Sequence, residues 1–256
     1  MPPGQNRIRE VTLALLEVKD VGKSFGVLRA LDGVTISVQG NTFHGLIGPN
    51  GSGKSTLLKA IAGDHYASEG SILLDGDDIT FMRPFERARR GLNLKFQITS
   101  VLPELSPYDN LLLSVQADQS IWTLIRSRSK GELHDKIMDN LERFSLADRA
   151  DDLAAELSHG QQQWLEIAMS LMRAPKLLLL DEPTGGMSPE ERRATGELLL
   201  PLKQQCALII VEHDLDFIKD ICDHLTVLEQ GQVLDDGTVA QIEASAKVQE
   251  VYTTRV

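Results

Sequence analysis

The chain has few cysteines, no long apolar run and a shortage of positive charge. Its only cysteines, Cys206 and Cys222, sit in apolar surroundings and form no Cys-x-x-Cys pair. They read as reduced core thiols. The longest apolar stretches, Leu177–Leu180 and Ala207–Val211, are far too short to span a membrane. Met1–Arg7 contains no signal-peptide type of apolar run, so a cytoplasmic location is expected. Against 37 acidic residues there are 26 lysines and arginines, which gives a net charge of −11. That balance argues against a duplex nucleic-acid partner, which favours a basic face. It also argues against direct adhesion to, or insertion into, anionic lipid. If the protein works at a membrane, another protein must hold it there. No repeat or low-complexity tract is present. The length of 256 residues suits one large α/β domain or a domain with an inserted subdomain, and 42% hydrophobic residues suffice for a core.

What is present is organised around Gly48-Pro49-Asn50-Gly51-Ser52-Gly53-Lys54-Ser55-Thr56, which fits G-x-x-x-x-G-K-[ST]. Thr42–Ile47 before it reads as a short buried strand, and Leu57–Ala62 after it as the first turns of a helix. Glycines let backbone N–H groups turn inward onto phosphate oxygens. The helix start adds free N–H groups and the positive end of its dipole. Lys54 can reach the terminal phosphates, and the Ser55 hydroxyl can ligate Mg²⁺.

Either side of this loop the chain alternates. Val11–Val18 and Val34–Val38 have strand composition, joined by a turn-rich link over Val21–Gly26. Gly70–Gly76 reads as a strand, Pro84–Arg90 as a short helix, and Leu92–Phe96 as a strand ending at Gln97. From about Leu105 to Ala155 the pattern is helical. Leu111–Val115 and Trp122–Ile125 have helical spacing, and Leu133, Ile137, Leu141 and Phe144 share one helix face. Strands then return at Lys176–Asp181, Ala207–Val211, Leu225–Leu228 and Val233–Leu234. Helices are expected over Pro189–Gln205, Leu215–Cys222 and Val239–Ala246. The alternation implies a parallel sheet with helices on both sides, interrupted by a helical insertion.

Two further motifs carry chemistry. The apolar run Leu177–Leu180 ends in Asp181-Glu182-Pro183. At the C-terminal edge of a parallel sheet this end lies beside the phosphate loop. Asp181 can hold Mg²⁺, and Glu182 can take a proton from water attacking the γ-phosphate. Leu157-Ser158-His159-Gly160-Gln161 precedes a helix that runs through Met172. Ser158 and Gln161 fit a capping box, and Gly160 permits close approach to an anion at the helix start.

The order of phosphate loop, Gln97, Leu-Ser-x-Gly-Gln, Asp181-Glu182-Pro183 and His213 resembles the ATP-binding subunits of ABC transporters, from about Leu15 to Tyr252. The resemblance implies an α/β fold with three parts. These are a P-loop NTPase parallel-sheet core over 10–97 and 156–256, an N-terminal antiparallel β subdomain, and an inserted α-helical subdomain over 98–155. It implies ATP and Mg²⁺, with Ser158, Gly160 and Gln161 closing on ATP held by a second ATPase subunit. It implies that Phe25 stacks on adenine, Gln97 touches Mg²⁺ and the attacking water, and His213 contacts the γ-phosphate. Two transmembrane permease subunits and, indirectly, a solute-binding protein are the implied partners, with the chain peripheral on the inner face of the membrane. The chain departs from the family at His159, where a glycine is usual, and at Gly185-Gly186-Met187-Ser188, where Ser-Ala-Leu-Asp is common. Lys95-Phe96-Gln97, Gly186-Met187, Trp164–Ile167 and Val251-Tyr252 are similar to ATPases of the branched-chain amino-acid and urea/amide importer group, the urea-type branch most of all. Within the family, the ATPase of an exporter or lipid-transport system is the alternative. A P-loop kinase would leave Leu157–Gln161 unexplained, and non-transport relatives usually carry two ATPase halves or a long coiled coil.

Overall fold

A tight hairpin sets the first sheet. In the computed structural model, which describes residues 14–95, 101–116 and 130–253, β1 (Leu16–Phe25) and β2 (Leu28–Val38) pair antiparallel across Gly26 and Val27. Then β4 (Glu69–Leu74) and β5 (Asp77–Asp78) extend the sheet in the order β2-β1-β4-β5. The turn-rich link expected over Val21–Gly26 is corrected: the strand continues to Phe25. Register shifts between Val18 and Ser24 absorb Gly22 and its polar neighbours as bulges, so pairing continues where composition suggested a turn. For the same reason β2 begins at Leu28 and not at Val34.

The second sheet has the order β10-β9-β3-β8-β7-β6. Its strands β3 (Phe43–Ile47), β6 (Leu92–Lys95), β7 (Leu177–Asp181), β8 (Ala207–Val211) and β9 (His224–Glu229) are parallel. Only β10 (Gln232–Thr238) runs antiparallel, at the edge. Every position of β3, β7 and β8 is buried, because both faces of the sheet are covered. Leu177, Leu179 and Ile209 pack with α1 (Lys54–Ala62) and the antiparallel sheet. Leu178, Leu180 and Ile210 face the opposite cluster, which includes α5 (His159–Leu171) and α7 (Leu215–Ile221).

Between β6 and β7 the described residues form no strand: α3 (Pro107–Gln116), α4 (Lys130–Arg143), two short 3₁₀ turns and α5 follow one another. The helical face read in the sequence is present, with Ile137, Leu141 and Phe144 fully buried and Leu133 packed beside them. Trp122–Ile125, Phe96 and Gln97 lie outside the described residues, as does Met1–Arg9. The helix α2 (Pro84–Arg89) forms as expected.

Three expectations near the C-terminus are corrected. The helix α6 (Pro189–Leu199) ends before Gln205 and gives way to a 3₁₀ turn over Leu200–Gln204. Pro201 has no N–H to donate, and its ring opposes the carbonyl four residues earlier. The strand β10 extends well beyond Val233–Leu234, because pairing with β9 supplies what its acidic residues lack in β propensity. The helix expected over Val239–Ala246 ends at Glu243 as α8 (Val239–Glu243), and a further helix, α9 (Ala246–Thr253), follows Ser245, whose hydroxyl bonds Asp235.

The helix that follows the phosphate loop is anchored at its far end. Arg87, fully buried, donates to the carbonyls of Ala60 (2.7 Å), Ile61 (2.6 Å), Thr80 (2.8 Å) and Met82 (3.0 Å). It fills the orphan acceptors at the C-terminus of α1 and places positive charge at the negative end of the dipole. Burial lowers its pKa to about 10. Both cysteines are free and buried.

His44, in β3, is also buried, with Nε2 2.7 Å from the Thr226 hydroxyl and its ring beside His224. Burial first, and then the neighbouring His224, lower its pKa to about 4, against an opposing pull from Asp236. Below pH 6.5 the unfolded chain therefore binds a proton that the folded chain refuses until about pH 4, and stability falls across that window. Replacing His44 with Gln is expected to reduce the loss of stability between pH 7 and 4.5 by roughly 2–3 kcal/mol, read from urea unfolding at the two pH values.

Candidate functional site

The loop after β3 can be built only with glycine at its two ends. Gly48 has φ 146°, and a Cβ there would stand 2.1 Å from the Leu228 carbonyl oxygen. Gly53 has φ 105°, and its Cβ would lie 2.9 Å from the Ala30 carbonyl. Both positions need the missing side chain for space as well as for conformation. Between them the Ser52 N–H bonds the Pro49 carbonyl at 3.1 Å, and α1 begins at Lys54. The Lys54 ammonium donates to the carbonyls of Gly48 (2.7 Å) and Pro49 (3.1 Å). Burial lowers its pKa, against the opposing pull of the Glu182 and Asp181 carboxylates.

Asn50–Thr56, Glu182 and His213 line one cavity of about 510 Å³. That volume is in the range of small-molecule sites. Leu28, Arg29, Ala30 and Gln230 complete its wall. The sequence reading missed these four. The Gln230-Gly231 turn between two apolar runs was visible, but only the sheet order shows that the Gly231 N–H bonds the Ser52 carbonyl at 2.9 Å. Tyr252 is a family likeness in the sequence; burial raises the pKa of its hydroxyl, against an opposing pull from the Gly48 backbone.

Asp181 closes β7 and is buried, with a hydrogen bond from the Ser55 hydroxyl. Burial, and then the adjacent Glu182, raise its pKa. Its Oδ1 has no hydrogen-bond partner among the described residues. A buried carboxylate oxygen without a donor, beside a loop hydroxyl, fits a hard divalent cation such as Mg²⁺ completed by phosphate oxygens. No group of three or more His, Cys, Asp or Glu side chains among the described residues could hold a metal by itself. In particular, Glu212, His213 and Asp214 diverge. Glu212 accepts the Thr184 N–H and hydroxyl, both at 2.7 Å, whereas Asp214 caps α7.

Glu182 and His213 come together because β7 and β8 are parallel neighbours with Asp181 level with Val211. The Glu182 N–H bonds the Val211 carbonyl at 2.8 Å. Its φ of 50° is left-handed, a strained setting for a non-glycine residue before proline. That conformation aims the carboxylate into the cavity, where His213 Nε2–H donates to Oε1 at 2.8 Å. A carboxylate only accepts, so this contact fixes the proton on Nε2.

Ser158 caps α5 through its hydroxyl, which accepts the Gln161 N–H at 3.2 Å, and Gln161 Oε1 accepts the Ser158 N–H at 3.0 Å. This exposed helix start, with Gly160 behind it, contributes no residue to the cavity wall. Phe25 stands at the tip of the β1–β2 hairpin, 43% exposed, with Lys23 over its ring at 5.0 Å and His65 edge-on at 5.3 Å. It too lies outside the cavity wall. Gln97 falls outside the described residues. Two positions earlier, buried Lys95 pairs with Glu166 of α5 at 3.3 Å, tying the strand that leads to Gln97 to the signature helix. In the loop after Glu182, Ser188 caps α6 in a capping box with Glu191. Serine and aspartate are both good N-caps, so the departure from Ser-Ala-Leu-Asp keeps the helix start.

Comparison with known proteins agrees with this geometry. A family model described as ABC transporter matches residues 31–185. The chain is 34% identical over 245 residues to a probable branched-chain amino acid transport ATP-binding protein, LivG, of Archaeoglobus fulgidus, covering 94% of this chain and 95% of that one. It is 32% identical to the high-affinity branched-chain amino acid transport ATP-binding protein BraF of Pseudomonas aeruginosa, with 93% and 97% covered. A crystal structure of an ABC transporter's ATP-binding cassette in its ADP conformation superposes with a TM-score of 0.84 at 34% identity, over 94% of this chain and 99% of that chain. With the phosphate loop, the Asp181–Glu182 strand end and the capped signature helix in one α/β fold, the chain belongs to the ATP-hydrolysing, ATP-binding subunits of ABC transporters.

Proposed function

We propose that this chain is one of two ATPase subunits that drive an ABC importer for a small polar solute. The observation that carries the reading is the division of the motifs. The cavity holds the phosphate loop, Glu182 and His213 but none of Ser158–Gln161. The start of α5 contributes nothing to that wall, so in this reading a second ATPase subunit brings its own α5 to the nucleotide. In this reading Lys54, Ser55 and the loop amides hold the phosphates of ATP. Ser55, Asp181 and Gln97 would hold Mg²⁺, which neutralises phosphate charge. Glu182 takes the proton of the attacking water, with Gln97 and His213 orienting it. Ser158, Gly160 and Gln161 of the second subunit complete the site, and Phe25 stacks on adenine. The stretch 98–155 forms a helical subdomain that meets the permease subunits, and a solute-binding protein supplies the solute. The chain sits on the inner face of the membrane through those permeases. No helix among the described residues is long and apolar enough to cross a membrane. The relatives' names favour branched-chain amino acids as the solute. The His159 and Trp164–Ile167 pattern favours urea or a short amide, and uptake assays with the permeases separate the two.

The shared site is tested by complementation. Neither Ser158→Arg nor Lys54→Ala should support turnover alone. Mixed in equal amounts and shown to pair, they should recover about a quarter of the specific activity of the unmodified protein, because half of the dimers are mixed and each of these keeps one composite site of two. A mixture that pairs and stays inactive overturns the sandwich.

A further inference from the structure

His159 is exposed at the first turn of α5, in the signature, and its side chain does not reach the phosphate cavity of its own chain. Its Nε2 instead lies 3.0 Å from the Gly185 carbonyl. A carbonyl only accepts, so Nε2 carries the proton and donates. The imidazole also lies against Gly186, where a Cβ would stand 3.4 Å from Cδ2 and from Nε2. Gly186 has φ 76°, so the loop takes a left-handed turn at the point where it receives the ring. The Gly185 N–H in turn donates to the Glu182 carbonyl at 3.1 Å. One residue, Gly185, thus receives His159 on its carbonyl and holds Glu182 through its N–H.

Two further contacts join the elements of this seam. Trp164 Nε1–H donates to the Thr195 hydroxyl at 2.8 Å, joining α5 to α6. A Cβ on Gly160 would lie 2.9 Å from Glu191 Oε1, and that carboxylate is held by the capping box at Ser188. The two helix starts therefore form one block. His159 is the side chain that reaches from that block to the turn behind Glu182.

We infer that His159 is a positioning residue that ties the signature to its own chain's Glu182 loop, so that docking of the signature on a second subunit's nucleotide sets the carboxylate of the subunit that carries it. This rests on the shared-site reading above. A glycine at this position would keep the phosphate contacts of Ser158 and Gly160 but lose the tie.

The test uses the full chain. His159→Ala should lower kcat about fivefold, the worth of one neutral hydrogen bond, while the KM for ATP stays within about twofold. His159→Gln, which offers an N–H at similar reach, should return kcat to within about twofold of the unmodified protein. Amide hydrogen exchange should quicken over residues 182–187 in the alanine variant and be restored in the glutamine one. The inference is overturned by an unchanged kcat in His159→Ala, or by exchange unchanged over 182–187. It is equally overturned by a glutamine variant that rescues nothing. A raised KM at constant kcat would make His159 a phosphate contact and also overturn it. If the unmodified chain proves unable to share its site, the two-subunit reading falls, and the exchange pattern still decides whether His159 holds the loop.

Discussion

Glu182→Gln is expected to lower the turnover of ATP by roughly 10²–10⁴-fold and to leave ATP binding within about threefold of the unmodified protein. Glutamine keeps the length and planarity of the side chain. Its amide oxygen can still accept the His213 Nε2–H that Glu182 Oε1 accepts at 2.8 Å. The left-handed backbone at residue 182 is set by the Val211 carbonyl and by Pro183, neither of which the substitution touches. What glutamine cannot do is take a proton. The change therefore separates base chemistry from positioning. In the proposed reading, binding rests on Lys54 and the loop amides and should survive, whereas the chemical step should not. Steady-state hydrolysis and titration with a fluorescent ATP analogue read the two parts separately. Hydrolysis within tenfold of the unmodified rate would remove Glu182 from the base role. Loss of binding and turnover together would show that the substitution had disturbed the loop.

The phosphate loop and the carboxylate pair were legible because each is written in consecutive residues. A strand, a fixed spacing of glycines and a Lys-Ser pair define one; a run of four leucines before Asp181 and Glu182 defines the other. The capping box at Ser158 was legible for the same reason, and it forms. What the sequence concealed was contributed by pairing between distant segments. β1 runs through a stretch that reads as a turn because β2 offers a partner at each step, with bulges taking up the mismatch. β10 carries Asp235, Asp236 and Gly237 and still holds as a strand because β9 lies beside it. Arg29 and Gln230 line the cavity although they are 201 residues apart, and no periodicity connects them. The Tyr252 contact with Gly48 joins the last described helix to the first motif, again with nothing local to announce it. His159 read as a departure from a family pattern. Its hydrogen bond to Gly185 became visible only when α5 and the loop after Glu182 were seen side by side.

Replacing Lys54 should act on binding and chemistry at once, and the physics of the site says how to keep that effect apart from misfolding. The ammonium is buried and its pKa is lowered chiefly by burial, so the folded chain bears a desolvation cost that Glu182 and Asp181 only partly offset. Removing the charge relieves that cost. It also leaves the Gly48 and Pro49 carbonyls without their donor. The two changes oppose each other, so stability should move little. Lys54→Met keeps the stem packed and is the cleaner test. Its melting temperature is expected within about 4 °C of the unmodified protein, the shift that about 1 kcal/mol gives in a chain of this size. ATP, by contrast, carries its charge on phosphates that, in the proposed reading, this ammonium meets. A hydrogen bond between charged groups is worth about 1.5–3 kcal/mol, so affinity should drop roughly 10- to 150-fold. Turnover should fall further, because charge builds on the γ-phosphate oxygens as the bond breaks and the loop loses its one mobile cation. Calorimetric titration with ATP, steady-state hydrolysis, and thermal melts with and without nucleotide measure the three. The unmodified chain should gain stability from ATP by mass action, and the variant should gain less at the same ATP concentration. Unchanged affinity and unchanged turnover in a folded Lys54→Met protein would sink the assignment of this loop. A collapsed melting temperature would show instead that the ammonium's bonds to Gly48 and Pro49 outweigh the cost of burying it.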